Sequence, residues 1–416
     1  MEIKRDQYLQ KLISKMHNSM IKVITGMRRS GKSYLLFHIF RDYLLEEGVK
    51  ASHIISIEFD RIENIEYRDG ITAYNYIKSL IVDDENYYIF LDEVQMMNNF
   101  EDVLNSLLHI KNVDTYVTGS NSKFLSKDVI TEFRGRGDEI HVYPLSYAEF
   151  MSQYKGDRYE GWNEYMIYGG LPYVALLNSD KEKSDYLLKL FKEIYIRDIM
   201  ERYKIEKVEE LNELINILAS AVGSLTNPTK ILATFKSVLH SDISINTIRT
   251  YIEYLKDAFI ISEVSRFDVK GRKYIGTPFK YYFEDVGLRN AALGFRQIEE
   301  SHIMENVLYN ELKLRGYSVD VGVVKKRYMQ EGKNKEKQLE IDFICNQGSK
   351  RYYIQSALNM DSKSKEEQEK LSLKSVDDSF KKIVVVKDYM KVNRDNDGIN
   401  IMGIYNFLLD KDSLDL

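Results

Sequence analysis

A chain of 416 residues has room for roughly two to four domains, and a hydrophobic share of 44% excludes a disordered protein. Acids outnumber lysine and arginine by 64 to 59, a formal charge of −5, which excludes a broad nucleic-acid grip and leaves only local basic patches for such a partner. The opening "MEIKRDQYLQKLISKMHNSM" is charged throughout and holds no signal-peptide core, and no apolar stretch reaches the ~18 residues of a membrane helix. With Cys345 as the single cysteine, no internal disulfide can form, so a reducing, cytoplasmic location without a membrane partner is expected. The seven histidines are scattered without paired metal-ligand spacing, which argues against zinc.

The first third alternates short apolar runs with helical segments. The runs are "IKVITG" (21–26), "HIISIEFD" (53–60), "YYIFLDEV" (87–94), "TYVTGS" (115–120) and "EIHVYPL" (139–145), rich in β-branched residues and tyrosine. Between the first two lies "SYLLFHIFRDYLLEEG", a helix closing on Gly48. This alternation predicts a parallel sheet covered on both faces. From 146 to 205 the pattern turns helical, interrupted by the sharp loop "YGGLPY" (168–173). Residues 206–285 read as a small helical unit followed by a hairpin. Ile245, Ile248, Ile252, Leu255 and Phe259 make one helix face behind Ser244 as N-cap, and two strands flank the turn residues Lys270 and Gly271. Helix, helix and hairpin are the outline of a winged helix. The remainder forms another α/β unit: a helix at about 302–315 ending at Gly316, strands at "YSVDVGVV", "LEIDFIC" and "RYYIQSA", a charged helix near 363–373, and the strand "KKIVVVKD".

Between the first strand and its helix stands "GMRRSGKS" (26–33), in which Gly26, Gly31, Lys32 and Ser33 match GxxxxGK[ST]. Chance alone produces that pattern in about 1–2% of chains this long. Glycines let successive backbone N–H groups turn inward around phosphate oxygens, and the following helix presents its positive end. Lys32 is placed to reach the β- and γ-phosphates of ATP, and the Ser33 hydroxyl to coordinate Mg²⁺. The expected nucleotide-contacting set is Gly26, Arg29, Ser30, Gly31, Lys32, Ser33 and Tyr34, with no role assigned to the side chains of Arg28 and Arg29.

"IFLDEV" is an apolar strand ending in two acids. Asp92 is suited to hold Mg²⁺, and Glu93 to orient or deprotonate an attacking water; the pair favours hydrolysis over transfer to a second substrate. "TGSNS" (118–122) ends the next strand, where Ser120 or Asn121 would face the γ-phosphate, although an ordinary polar turn has the same composition. Arg134 and Arg136 precede the fifth strand, from which Arg136 could act on the nucleotide of a neighbouring subunit in a homo-oligomer; a solvated surface pair is the other reading. The expected catalytic set is Lys32, Glu93, Asn121 and Arg136.

Taken together, "IKVITGMRRSGKSYLL", "IFLDEVQ", "VTGSNSKFLS", "RGRGDEIHVYPLSYAEF", "YGGLPY", "YIRDIMERY", "YYFEDVGLRNA", "MENVLYNELKLRGY" and "EIDF" make the chain resemble a known family nearly end to end. It is similar to the bacterial and archaeal AAA-type ATPases that carry a C-terminal, restriction-endonuclease-like domain of unknown function. The resemblance implies an α/β P-loop ATPase core at 1–150, a helical lid at 151–205, a winged-helix-like domain at 206–285 and a nuclease-like domain at 286–416. The family's associations are with DNA transactions and with mobile-element or defence functions.

A nuclease tail of this kind clusters acids around Mg²⁺ and adds a lysine beside the attacking hydroxide. Glu305 and Asp342 occupy two acid positions, but the strand that usually supplies acid-x-lysine reads "IQSA", with Gln355 and Ala357 in those places. The tail is therefore expected to be a degenerate, inactive nuclease fold, unless Lys350 or Arg351 supplies the missing charge. For DNA contact, the cations are Lys270, Arg272 and Lys273 in the hairpin and the lysine-rich loop "KKRYMQEGKNKEK" (325–337); Glu253 and Asp257 offset Arg249 and Lys256 on the candidate recognition helix. The leading expectation is a Mg²⁺-dependent ATPase acting on or near DNA. The rival is a nucleotide-loaded switch that signals to a protein partner.

Overall fold

The computed structural model describes residues 3–120, 136–238, 240–330, 333–388 and 391–415. The chain divides into two units, Met1–Pro144 with Asp257–Phe259, and Leu145–Lys256 with Ile260–Leu416.

In the first unit, β1 (Ile21–Thr25), β2 (Ile54–Glu58), β3 (Tyr87–Asp92), β4 (Val113–Thr118) and β5 (Gly137–His141) form one sheet in the order β2-β3-β4-β1-β5, every pairing parallel. The first three apolar runs singled out above contain β1, β2 and β3, while β4 and β5 begin two residues before the runs 115–120 and 139–145. β3 is buried along its whole length, as a strand covered on both faces must be, which is why "YYIFLD" shows no polar alternation. Ile89 and Leu91 share a core with Ile57, Phe59, Ile77, Val103 and Val117. The helical run that begins at Lys32 passes through a π-helical stretch, Leu35–Phe40, and closes on Gly48 in the left-handed region at φ +88°. Because β4 lies between β1 and β3, the carboxyl ends of these three strands stand side by side. Among the described residues, no helix is long and apolar enough to cross a membrane.

The second unit begins with helices, among them Arg158–Tyr168, Asp180–Lys189, Val208–Ser220, Pro228–Val238 and Ile245–Asp257. Ser244 caps the last of these, its Oγ accepting the Thr247 N–H at 3.0 Å. Then come β6 (Ile261–Asp268), β7 (Lys273–Phe283), the helix Glu300–Leu314, β8 (Ser318–Gln330), β9 (Lys333–Gln347), β10 (Lys350–Ala357), β11 (Lys381–Val386), β12 (Asn393–Arg394) and β13 (Asn400–Gly403). They build one mixed sheet in the order β12-β13-β11-β10-β9-β8-β6-β7, in which the hairpin β6–β7 joins the rest through parallel pairing of β6 with β8.

One sequence expectation is corrected here. The described residues of "KKRYMQEGKNKEK" are not a loop: Lys325 pairs with Gln338, Arg327 with Glu336 and Tyr328 with Lys335, so 325–330 and 333–337 are the outer part of a β8–β9 ribbon. The described side chains on both strands of that ribbon are exposed, and without a covered face there is no apolar alternation to read.

Two motifs that carry the resemblance meet in this unit. Asp285, in "YYFEDVGLRNA", caps the helix Val286–Ala292 by accepting the Leu288 N–H at 2.9 Å, while its other oxygen accepts the Gly170 N–H of "YGGLPY" at 2.8 Å. A Cβ on Gly169, at φ +72°, would stand 2.5 Å from both Asp285 oxygens, so this position must be glycine. Asn290 donates to the carbonyls of Met166 and Ile167 at 2.9 Å each, and Arg289 to that of Ala219 at 2.8 Å. Burial pushes the Asp285 carboxyl up to about 6 against the backbone N–H groups that favour its charge.

Asp285→Ala should therefore cost about 3 kcal/mol, because two buried N–H groups lose their acceptor and a helix loses its cap. Calorimetry should show Tm several degrees lower, whereas Ala at the exposed Asp361 should leave Tm in place. An unchanged Tm for Asp285→Ala would refute the clasp.

Candidate nucleotide-binding site

The loop after β1 is shaped by close approach as much as by phosphate chemistry. Gly26 has φ +134°, and a Cβ there would run into the Val142 carbonyl oxygen; Gly31 has φ +96° and hands the chain to the helix starting at Lys32. Arg29 also sits in the left-handed region at φ +66°, so the loop is wound tightly without glycine at that position. Lys32 is 5% exposed, and its ammonium donates to the carbonyls of Gly26 and Met27, both at 2.9 Å. Ser30 is fully buried and its Oγ has no hydrogen-bond partner among the described residues. An inward polar atom in a loop of left-handed residues suits a polyanion rather than an apolar core.

Three strand ends converge beside that loop. The Ser33 hydroxyl donates to Asp92 at 2.9 Å and 3.0 Å, and the Thr118 hydroxyl, at the end of β4, donates to the same carboxylate. Thr118 Oγ1 in turn accepts the Glu93 N–H at 3.0 Å. Burial pushes the Asp92 carboxyl up to about 6; the Thr118 and Ser33 hydroxyls pull it down, and Glu93 and Asp60 push it further up. Glu93 lies in the left-handed region at φ +49°, an uncommon conformation for a non-glycine residue. Its carboxylate is gripped by Gln95 Nε2 and by Ser120 Oγ, the latter at 3.3 Å. Carboxylate oxygens of Glu58, Asp60 and Asp92 all lie within 4.8 Å of one another. A hydroxyl already touching a carboxylate, with further acids beside it, is an oxygen donor set that fits a hard cation such as Mg²⁺.

Gly26, Arg29, Ser30, Gly31, Lys32, Ser33, Asp92 and Glu93 are thus gathered at one end of the sheet. Tyr34 follows Ser33 on the helix, 43% exposed, with its ring 4.8 Å from that of His38. Asn121 and Arg134 lie outside the described residues. Arg136 is exposed at the opposite edge: its carbonyl accepts the Ile21 N–H at 2.9 Å where β1 begins, and β1 runs about 16 Å from there to the loop. Sequence reasoning gave no role to Thr118, Gln95, Glu58 or Asp60. The first two were in view, inside "VTGS" and "LDEVQ"; Glu58 ends β2 and Asp60 lies two residues beyond it, where only the sheet order brings them to Asp92.

In the larger unit, Glu305 and Asp342 do come together, with Glu340 beside them and Lys280 of β7 bonded to all three. Lys350 instead bonds Asp415 at 2.9 Å and Arg351 bonds Asn346 at 2.7 Å, so neither supplies the charge at that place. Of the cations read as DNA contacts, Lys270 pairs with Asp377 at 3.1 Å and Lys325 with Glu336 at 3.0 Å; on the candidate recognition helix, Lys256 pairs with Glu253 at 2.8 Å.

A five-stranded parallel sheet with a glycine loop after its P-loop strand and an acid pair ending β3 defines an AAA-type P-loop ATPase domain, and the AAA domain family matches residues 18–151. A second family, a domain of unknown function (DUF8612), matches residues 159–299. The chain belongs to the family of an uncharacterized protein of Haemophilus influenzae, with which it is 33% identical over 413 residues, 98% of either chain. An uncharacterized protein of Methanocaldococcus jannaschii is 29% identical over 370 residues, 86% of this chain and 79% of that one. Among solved structures, Cdc6p from Pyrobaculum aerophilum is similar at 14% identity and TM-score 0.31, over 73% of this chain and 94% of that one. The Aeropyrum pernix Orc1 protein in complex with DNA is similar at 14% identity and TM-score 0.29, over 70% and 92%. At these scores neither overlap bears on what the chain does.

Thr118→Val keeps the shape and removes the hydroxyl that favours ionised Asp92. The Asp92 midpoint should move upward from about 6, followed by carboxyl carbon NMR in nucleotide-free protein. A downward or absent shift would mean that Thr118 does not hold this carboxylate.

Proposed function

We propose that the chain is a Mg²⁺-dependent ATPase acting on or near DNA. The observation that carries this reading is the Ser33–Asp92–Thr118–Glu93 network, which joins the phosphate loop to the acid pair through two hydroxyls. With ATP bound, Lys32 would leave the carbonyls it now holds for the β- and γ-phosphates, while backbone N–H groups from Gly26 to Tyr34 surround them. Ser33 and Asp92 would hold Mg²⁺, which supplies charge stabilisation at the phosphates. Glu93, aimed by Gln95 and Ser120, would orient the attacking water, and Asn121 would sense the γ-phosphate. Arg136 would act on a neighbouring subunit's nucleotide, since it sits away from its own.

Beyond the ATPase core at 1–150 we take 151–205 as a helical lid, 206–285 as winged-helix-like and 286–416 as a restriction-endonuclease-like unit that no longer cuts. The helices before β6–β7 support the second of these, and the meeting of Glu305 with Asp342 supports the third. Exposed Arg272, Lys273 and Lys326 are the cations offered to DNA phosphates. A reducing, cytoplasmic location belongs to the same reading. A second reading, a nucleotide-dependent switch that binds a protein partner, is favoured by the aliphatic side chains of Ile62, Ile65 and Ile71, exposed at 81%, 57% and 71% just past β2.

Phosphate release with and without single- and double-stranded DNA separates the two: stimulation by DNA supports the first, and slow, DNA-indifferent turnover the second. Lys32→Ala should remove most ATP binding by calorimetry, and Glu93→Gln should retain binding while stopping turnover. Absence of binding to the native protein at millimolar ATP would overturn both readings.

Arg136→Ala should lower turnover on the order of 10³-fold if the arginine reaches across subunits, and the native rate per chain should rise with protein concentration. A concentration-independent rate from a monomer eliminates that role.

A further inference from the structure

The acid cluster of the larger unit draws on distant parts of the chain. Glu305 projects from the helix Glu300–Leu314, while Glu340 and Asp342 stand two apart on β9 and so share a face. Lys280 comes from β7, although β8 and β6 stand between β9 and β7 in the sheet order. Its ammonium lies 2.7 Å from Glu305, 2.8 Å from Glu340 and 3.4 Å from Asp342. An ammonium has three N–H donors, and here each has a carboxylate. Two further donors reach the acids: Tyr282 donates its hydroxyl to Glu305 at 2.6 Å, and the Ser356 N–H reaches Asp342 at 2.9 Å.

The cluster is covered around its cation and open at one acid: the Glu340 side chain is 36% exposed, against 11% for Glu305 and 9% for Asp342. Lys280 is 2% exposed. A Cβ on Gly223 would meet both Glu305 oxygens at 3.2 Å, so the backbone at that point lies directly on the carboxylate. Three residues on, Thr226 exchanges a pair of 2.8 Å backbone hydrogen bonds with Phe279, the neighbour of Lys280. Burial by itself lowers an ammonium's pKa, but Glu305, Asp342 and Glu340 outweigh it and hold Lys280 above its ordinary range. Burial raises Glu305, against the pull of Lys280.

Three carboxylates converging on one point make the donor set of a hard divalent ion, and in the interior such charge must be compensated. We infer that Lys280 is the built-in cation of this cluster: its ammonium fills the place among Glu305, Glu340 and Asp342 that a divalent ion would otherwise take, pins the hairpin to the sheet, and shuts the cluster to outside cations. An acid cluster closed in this way is a structural lock, and it remains one whether or not the chain hydrolyses ATP.

The test uses full-length, nucleotide-free protein titrated with Mn²⁺, free ion being read by electron paramagnetic resonance. Lys280→Met should take up one Mn²⁺ per chain more than the native protein, and Lys280→Met/Asp342→Asn should lose that gain. In an otherwise native background, Asp342→Asn should leave uptake unchanged. Should Lys280→Met fail to fold, the triple variant Lys280→Met/Glu305→Gln/Asp342→Asn, which removes the stranded charge, should fold again. Native uptake that drops on Asp342→Asn overturns the inference. So does a folded Lys280→Met that gains no ion, or a triple variant as unfolded as the single one.

Discussion

A carboxylate at the covered end of a strand survives only if neighbours donate to it, and Asp92 draws its donors from two strands at once. Ser33 follows the loop after β1 and Thr118 ends β4. Both can reach Asp92 because the sheet runs β3-β4-β1, with the donor strand between loop and acid. In any order that moved β4 outward, Asp92 would keep its burial and lose a hydroxyl. The fold of the first unit is in this sense conditioned on one interaction, and the geometry of Glu93 follows from it. Thr118 fixes the Glu93 backbone through its N–H, and the left-handed turn there throws the side chain toward Gln95 and Ser120.

The same rule governs the interior of the sheet. Lys22 of β1 and Asp114 of β4 are both almost wholly buried and paired, with Tyr116 donating to Asp114 at 2.8 Å. Burial lowers the Lys22 ammonium, and Asp114 opposes it. Removing one member would strand the other in an apolar layer, so the pair fixes the register of β1 against β4 more strictly than aliphatic contacts do. That register is what aligns the loop after β1 with Thr118.

How much of this the sequence discloses depends on distance along the chain. "GMRRSGKS" and "IFLDEV" are legible because each is a contiguous stretch whose chemistry is complete within a few residues. Gln95 and Thr118 lay in view but act through a turn and a strand pairing, which composition does not encode. The outer part of the β8–β9 ribbon reads as a loop because its described side chains are solvated on both strands, so the alternation that betrays a half-buried strand is missing. Asp285 and Gly170 are 115 residues apart, and their bond is invisible until the two helices that carry them are packed together. Lys280 was the least accessible of all: the lysine was sought two positions after Gln355, whereas the charge comes from a hairpin on the far side of two strands.

The chain thus solves one electrostatic problem in two ways. At Asp92 the neutralising partners are hydroxyls, which lower the cost of the charge without cancelling it and which can also turn their lone pairs toward a metal ion. At Glu305, Glu340 and Asp342 the partner is a covalently tethered ammonium, whose departure would require β7 to peel from the sheet edge. Hydroxyls leave an acid exchangeable and a tethered cation leaves it spent. Ligand chemistry in this molecule is therefore to be sought where buried acids are held by serine and threonine, and rigidity where they are held by lysine.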